Sequence, residues 1–306
     1  MINRTKCDLC CSGDLSPFLS DISDFESELP HKTDLLQCQN CYLIQQNYLF
    51  NHNEISSFYD SDYNGRNYNS KNLFTPFTNL LRSRYYSRFT NLVEYFCSDK
   101  DAPILDYGSG DGFFLELLRR KGFKNLFACD FFEPTEINST FVTFIHPQEL
   151  ALSSKNFSVV TMINSIEHLS SFKSDFKVIS KTMLEGSKLI IETPNIDSLD
   201  FYIFKKYWGG LHQPRHTFLW SKSSISRHLA NFGFSSYHLG SPQPAHWAIS
   251  IQNILSSLFP FTKKLLFLRG RIKGYVVLVI LFLPIGFLQF LFKKESVLNI
   301  VATKDK

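Results

Sequence analysis

Three stretches of the chain gather residues able to do chemistry. In the first, Ile104 to Tyr107 is an apolar run broken only by Asp106, and Gly108, Ser109, Gly110, Asp111 and Gly112 follow. This is the pattern of a strand entering a turn in which glycine lets backbone and ligand approach closely. A helix starting just beyond supplies free amides and a positive dipole end, suited to a nucleotide-like ligand. Asp130 closes a second expected strand, Leu126–Asp130, where one carboxylate can accept from both hydroxyls of a diol.

The second group is Cys7, Cys10, Cys38 and Cys41, two CxxC pairs in one small segment. Each pair can present two thiolates from a tight turn, giving the four sulfurs that tetrahedral zinc prefers. A closed four-cysteine site leaves no open position, so the expected zinc is structural. Cys11 is a spare that could replace Cys10, and a redox dithiol is the weaker alternative. The third group is the stretch Tyr207–Trp220, with His212, Arg215 and His216, together with His168 after Glu167. An imidazole titrates near neutrality, so His212, His216 or His168 can act as general base on a hydroxyl. Arg215 can hold a phosphate or carboxylate, and Trp208 and Trp220 can stack on a sugar or instead cover the core.

The elements that must position these groups follow from periodicity. Short apolar runs alternate with amphipathic ones over residues 101–245, the pattern of βαβ units around a parallel sheet. Strands are expected at Ile104–Tyr107, Leu126–Asp130, Val142–Ile145, Ser158–Ile163 and Leu189–Glu192, with helices at Gly112–Lys121, Phe172–Met183 and Ser223–Phe232. Ser221 is a cap candidate for the last of these. Phe77, Leu80, Leu81, Tyr85, Phe89, Leu92 and Phe96 recur at helical spacing, predicting a helix over Pro76–Phe96. The division expected is 1–46 as a zinc-ribbon-like lobe and 47–100 as a helical cap or linker. Residues 101–245 with 295–306 form the main domain, and 246–294 a hydrophobic helical insertion.

The 306 residues carry a net charge of only +4, too little to imply nucleic acid as a partner. Seven cysteines, with no secretory signal over Met1–Leu9, favour a reducing compartment.

A dinucleotide fingerprint would need its third glycine at 113, which is Phe113; the glycine stands at 112, and Asp106 precedes the turn. In those two departures the chain resembles the class I S-adenosylmethionine-dependent methyltransferases, whose first motif is an acid followed by GxGxG. The resemblance continues through Phe157–Leu169 and Gly186–Asn195, and covers roughly residues 60–245. It implies an α/β Rossmann-like sheet, mostly parallel with an antiparallel last strand, and S-adenosylmethionine as cofactor. Asp106, Tyr107, Gly108, Ser109, Gly110 and Gly112 would hold the amino-acid half of that cofactor. Asp130 would bind the ribose, with Phe131 and Asn164 beside it. Within the family the chain is most similar to bacterial members tied to polysaccharide and secondary-metabolite genes. That implies a small-molecule acceptor, a sugar or lipid-linked glycan, with an isoprenoid or quinone-type lipid as the alternative. A non-catalytic scaffold, or a Rossmann-like domain that has lost its ligand, is the reading from another class.

Gly274–Phe292 is a run without a charge, long enough to span a bilayer, flanked by Lys263, Lys264, Arg269, Arg271 and Lys273 before and Lys293 and Lys294 after. Phe234–Leu239 and Val297–Ala302 read as the last two strands of the sheet, so the segment between them must leave and return on one side. Two apolar helices, about 247–262 and 274–292, would then lie on or dip into one leaflet from the cytoplasmic side, with basic residues at anionic headgroups. A transmembrane helix, with Val297–Ala302 outside the sheet, and a buried cap or dimer contact are the alternatives.

Overall fold

The computed structural model describes residues 2–23, 25, 32–50, 54, 58, 75–133, 141–259, 267–268, 271–272 and 275–306. The strands are β1 (Ile2–Asn3), β2 (Leu15–Ile22), β3 (Thr33–Cys38), β4 (Ile44–Gln46), β5 (Tyr48–Leu49), β6 (Ile104–Tyr107), β7 (Leu126–Cys129) and β8 (Val142–Ile145). Then come β9 (Phe157–Ile163), β10 (Met183–Pro194), β11 (Phe218–Leu219), β12 (Phe234–Leu239), β13 (Phe267–Leu268), β14 (Arg271–Ile272) and β15 (Val297–Lys304). The helices are α1 (Thr75–Phe96), α2 (Phe113–Arg120), α3 (Pro147–Leu152), α4 (Phe172–Lys181), α5 (Leu199–Phe204) and α6 (Lys222–Ala230). They are followed by α7 (Ala245–Leu258), α8 (Tyr275–Leu281) and α9 (Leu283–Leu291).

Seven strands form the main sheet in the order β12-β15-β10-β9-β6-β7-β8. The pairs from β10 to β8 are parallel, and β15 runs antiparallel between β10 and β12. Parallel strands bury both faces, and alternation along them divides the core in two. Leu105, Val160, Met162, Leu189 and Ile191 face α4 and α6 through Phe172, Phe176, Ile225 and Leu229. Ile104, Ala128, Val159 and Ile190 face α1 and α2 through Phe89, Val93, Phe114, Leu115 and Leu118. Each such apolar side chain contributes about 1.5–3 kcal/mol when fully buried. The expected elements of the sheet are present with ends shifted by a few residues, most at β10, which starts at Met183. Ser221 caps α6, its side chain accepting from the Ser224 amide.

A second, antiparallel sheet runs β11-β4-β3-β2. Its fourth strand comes from the far end of the chain. Phe218 and Leu219 pair with Gln45 and Ile44, and the Gln46 amide donates to the Thr217 carbonyl at 2.9 Å. The N-terminal segment is thereby sewn to the stretch expected to meet a substrate.

The region after β12 corrects the transmembrane alternative. Val297–Lys304 sits inside the sheet, paired on both sides. The charge-free run is two short helices, α8 and α9, interrupted at Phe282. Among the described residues, no helix is long and apolar enough to cross a membrane. Helix α7 is not a surface helix either: Trp247, Ala248, Ile249, Ser250 and Gln252 are buried, and the Trp247 indole donates to Gln289 Oε1 of α9. Gln289 in turn donates to Asp200 Oδ1, and the Trp208 indole to Asp200 Oδ2, tying α5, α7 and α9 together. What remains exposed is the outer face of α8 and α9, including Ile280, Leu281, Phe287, Leu288, Leu291 and Phe292. Lys263, Lys264, Arg269, Lys273 and Gly274 lie outside the described residues, as does the side chain of Arg271.

Candidate cofactor, acceptor and metal sites

Strand β6 delivers the chain into the glycine turn at the carboxyl ends of the parallel strands. Gly108, Gly110 and Gly112 all have positive φ, of 82°, 54° and 74°, which an L side chain rarely adopts. At Gly108 the need is also steric, because an added Cβ would stand 2.4 Å from the Cβ of Ser165. Ser165 in turn donates from Oγ to the Tyr107 carbonyl at 2.6 Å. The Gly108 and Ser109 amides both donate to the Cys129 carbonyl, and the Gly110 amide donates to Asp130 Oδ2 at 2.9 Å. Asp130 also accepts from the Phe131 amide at 2.7 Å. The expected pairing of the turn with the acid after the next strand is thus a direct contact. The Ser109 hydroxyl is buried without a partner among the described residues.

Asp106 is buried beneath the turn and accepts from the Thr161 hydroxyl at 2.6 Å. Burial pushes its carboxyl up to about 7, against the lowering effect of the Thr161 bond. Arg82 of α1 reaches over the turn, donating to both oxygens of Asp111 at 2.9 and 2.8 Å and lying over the Phe113 ring. Phe131 stands edge-on to His146, with ring centroids 6.0 Å apart.

Asn164, at the end of β9, is exposed with a φ of 51°, and donates to the Tyr85 hydroxyl at 2.8 Å. Around it is a cluster that the sequence did not reveal. Glu192, buried on β10, takes hydrogen bonds from Tyr85, Arg88, Asn164 and Gln243. Burial raises the Glu192 carboxyl, opposed by the adjacent Arg88, and burial raises the Tyr85 hydroxyl as well. Arg88 also donates to Ser241 at 2.7 Å. More than a hundred residues separate Tyr85 from Glu192, so no local signal could have joined them.

The three candidate histidines lie in file. His168 and His216 have ring centroids 4.5 Å apart, and His212 and His216 5.1 Å. Burial, with Arg215 beside it, pushes His168 down to about 3, and burial holds His216 well below the ordinary range. Glu167 is fully buried next to them and is pushed up to about 8 by that burial. Arg215 is 3% exposed. Trp208 and Trp220 are both fully buried, the latter 4.8 Å from the Phe172 ring, so they cover the core and do not stack on a substrate.

Cys7, Cys10, Cys38 and Cys41 converge, their sulfurs all within 4.8 Å of one another, with Cys7–Cys41 and Cys10–Cys38 each at 3.5 Å. The two knuckles share a backbone. In each, the residue after the second cysteine (Cys11 and Tyr42) has positive φ and donates its amide to the first cysteine's carbonyl. Cys11 itself is exposed, with Lys173 3.7 Å from its sulfur, and is no substitute for Cys10. The four sulfurs fit a tetrahedral ion. The cluster is no isolated lobe, since Cys7, Cys38, Cys41 and Leu43 belong to the same core as Phe172 and Trp220.

A strand order with the antiparallel strand second from one edge, and a glycine turn backed by an acid on the neighbouring strand, define a class I methyl-donor-binding fold. A family model described as a methyltransferase domain matches residues 80–239, over half of the chain, and the chain belongs to that family. It is a methyltransferase, which sets aside the reading as a scaffold. The structure resembles 1,6-didemethyltoxoflavin-N1-methyltransferase from Burkholderia thailandensis, solved with 1,6-didemethyltoxoflavin and S-adenosylhomocysteine. That similarity covers 88% of this chain and 98% of that one, at 12% identity and a TM-score of 0.51. It also resembles a SAM-dependent methyltransferase from Archaeoglobus fulgidus, over 76% of this chain and 100% of that one, at 17% identity and a TM-score of 0.48. No curated protein matches the sequence.

Proposed function

We propose that the chain transfers a methyl group from S-adenosylmethionine to a hydroxyl of a sugar or lipid-linked glycan at a membrane surface. The observation that carries the cofactor half is the Gly110 amide on Asp130, with three positive-φ glycines at the carboxyl end of β6. Gly108, Ser109, Gly110 and Gly112 hold the amino-acid end of the cofactor, Asp130 the ribose hydroxyls, and Tyr107, Phe131 and Asn164 its flanks. Asp106 braces the turn from below. The acceptor hydroxyl gives up its proton to a base of the chain as its oxygen attacks the methyl carbon in line. The carbon–sulfur bond breaks with its electron pair going to sulfur, leaving neutral S-adenosylhomocysteine. The cofactor brings its own activated leaving group, so the protein contributes mainly alignment.

Glu192, Arg88, Tyr85 and Asn164 form the polar wall on the acceptor side, a set of donors and acceptors suited to several hydroxyls. His212, partly exposed, is the candidate base of the three histidines, because the rings of His168 and His216 are held neutral and weakly basic. The cysteine set holds structural zinc. The exposed apolar face of α8 and α9 lies on the bilayer from the cytoplasmic side, with Lys293 and Lys294 beside it. That same face favours the second reading, an isoprenoid or quinone-type lipid acceptor. Incubation with methyl-labelled cofactor and separate sugar and quinone-type acceptors distinguishes the two. Label in the sugar fraction supports the first reading, and label confined to the quinone-type lipid overturns it.

A further inference from the structure

Buried Glu167 and His216, with half-buried His168, point to a role other than base catalysis. Glu167, His168 and His216 each bring one ligand atom within 4.8 Å of the others. His168 Nδ1 lies 3.1 Å from the Arg215 carbonyl, and His216 Nδ1 lies 2.9 Å from the Gly210 carbonyl. A carbonyl only accepts, so both Nδ1 atoms carry the proton, and a metal would meet each ring at Nε2. Glu167 Oε2 accepts from the Thr193 hydroxyl at 2.9 Å, whereas Oε1 is buried without a partner among the described residues. Orphaned carboxylate oxygens are costly in so dry a place. Two imidazoles oriented through Nδ1–H to backbone carbonyls, with an anchored carboxylate, form the outer-shell pattern that supports metal-ligating side chains.

We propose that Glu167, His168 and His216 form a second metal site, separate from the cysteine cluster, that takes one divalent transition-metal ion. Donors around one ion at bond lengths of about 2.1 Å sit about 3 to 3.5 Å apart, so the three draw together on taking it. Two nitrogens and one oxygen suit Mn2+, Co2+ or Zn2+, while the four thiolates select zinc. Three protein ligands leave coordination positions open. The loop is also placed for it: Ser165, two residues before Glu167, packs on Gly108, and the Thr217 amide after His216 donates to the Glu167 carbonyl at 2.8 Å. Resting on the methyl-transfer reading, an ion here binds an acceptor oxygen and eases loss of its proton.

The test uses Mn2+ alone, which thiolate sites disfavour, titrated into the full chain while electron paramagnetic resonance reads the free ion. The expected result is about one Mn2+ bound per chain. His216→Ala should abolish binding, and Glu167→Gln, which keeps the shape and the Thr193 contact, should weaken it by about tenfold or more. Calorimetry with S-adenosylhomocysteine on the same samples shows that each variant is folded. Absence of Mn2+ binding in the parent, or equal binding by the parent and Glu167→Gln, overturns the proposal. Loss of S-adenosylhomocysteine binding with Mn2+ uptake intact would instead count against the cofactor site.

Discussion

Ser165 closes directly over Gly108: its hydroxyl is bonded to the carbonyl of Tyr107, and its Cβ fills the space where a side chain at 108 would begin. The loop after β9 and the turn after β6 are therefore one unit. Gly108→Ala must strain a positive-φ backbone and displace Ser165. The expected cost is about 2–4 kcal/mol from the two effects together. It should be visible as a lower Tm in thermal unfolding and as lost S-adenosylhomocysteine binding. Unchanged stability and binding would mean that the loop after β9 is not seated on the turn.

The pH dependence of Asp106 has a defined sign. Its folded pKa, about 7, lies above the ordinary carboxylate value, so the native state holds a proton that the unfolded state releases. Stability from this group is full below pH 4 and is lost as pH rises toward 7. Asp106→Asn keeps the acceptor for Thr161 and removes the ionisation. The variant's stability relative to the parent should rise by on the order of 2 kcal/mol between pH 5 and pH 8. Parallel pH curves for the two proteins would show that Asp106 is ionised throughout.

Zinc removal should damage more than the N-terminal segment, because the cysteines share a core with Phe172 and Trp220. Metal analysis is expected to find zinc that Cys38→Ser loses. The accompanying destabilisation should be about 4 kcal/mol or more, as for other losses of a structural metal. Zinc content and Tm unaffected by Cys38→Ser would refute the site.

The outer face of α8 and α9 gives a membrane prediction. The chain should sediment with vesicles containing anionic lipid and much less with neutral ones, and added salt should weaken the binding. Each basic residue near the surface contributes about 1 kcal/mol. Leu288→Glu and Leu291→Glu should each reduce binding while leaving S-adenosylhomocysteine affinity intact. If the parent ignores vesicles and ultracentrifugation shows a dimer broken by Leu288→Glu, the face is a contact between copies.

The glycine turn, the strands and the cysteine set were legible because their signals are local: alternating glycines, apolar runs and CxxC spacing. Three features were not. Pairing of Phe218–Leu219 with β4 spans most of the chain, and two residues carry no pattern of their own. The Glu192 cluster joins residues from α1, β9 and β10, visible only once the sheet is assembled. Helix α7 reads as apolar in the same way as a membrane-facing helix, and only its contacts, Trp247 with Gln289 and His246 with the Trp208 ring, show that it is core. The tryptophans of the 207–220 stretch were ambiguous for the same reason.

The central claim, that the turn at Gly108–Gly112 and Asp130 form the methyl-donor site, is met most directly by titration calorimetry with S-adenosylhomocysteine. The parent should bind one equivalent, and Asp130→Ala, which loses the charged acceptor for the ribose and the partner of the Gly110 amide, should stay folded but bind about tenfold more weakly or worse. No binding by the folded parent, or an Asp130→Ala affinity equal to the parent's, would contradict it.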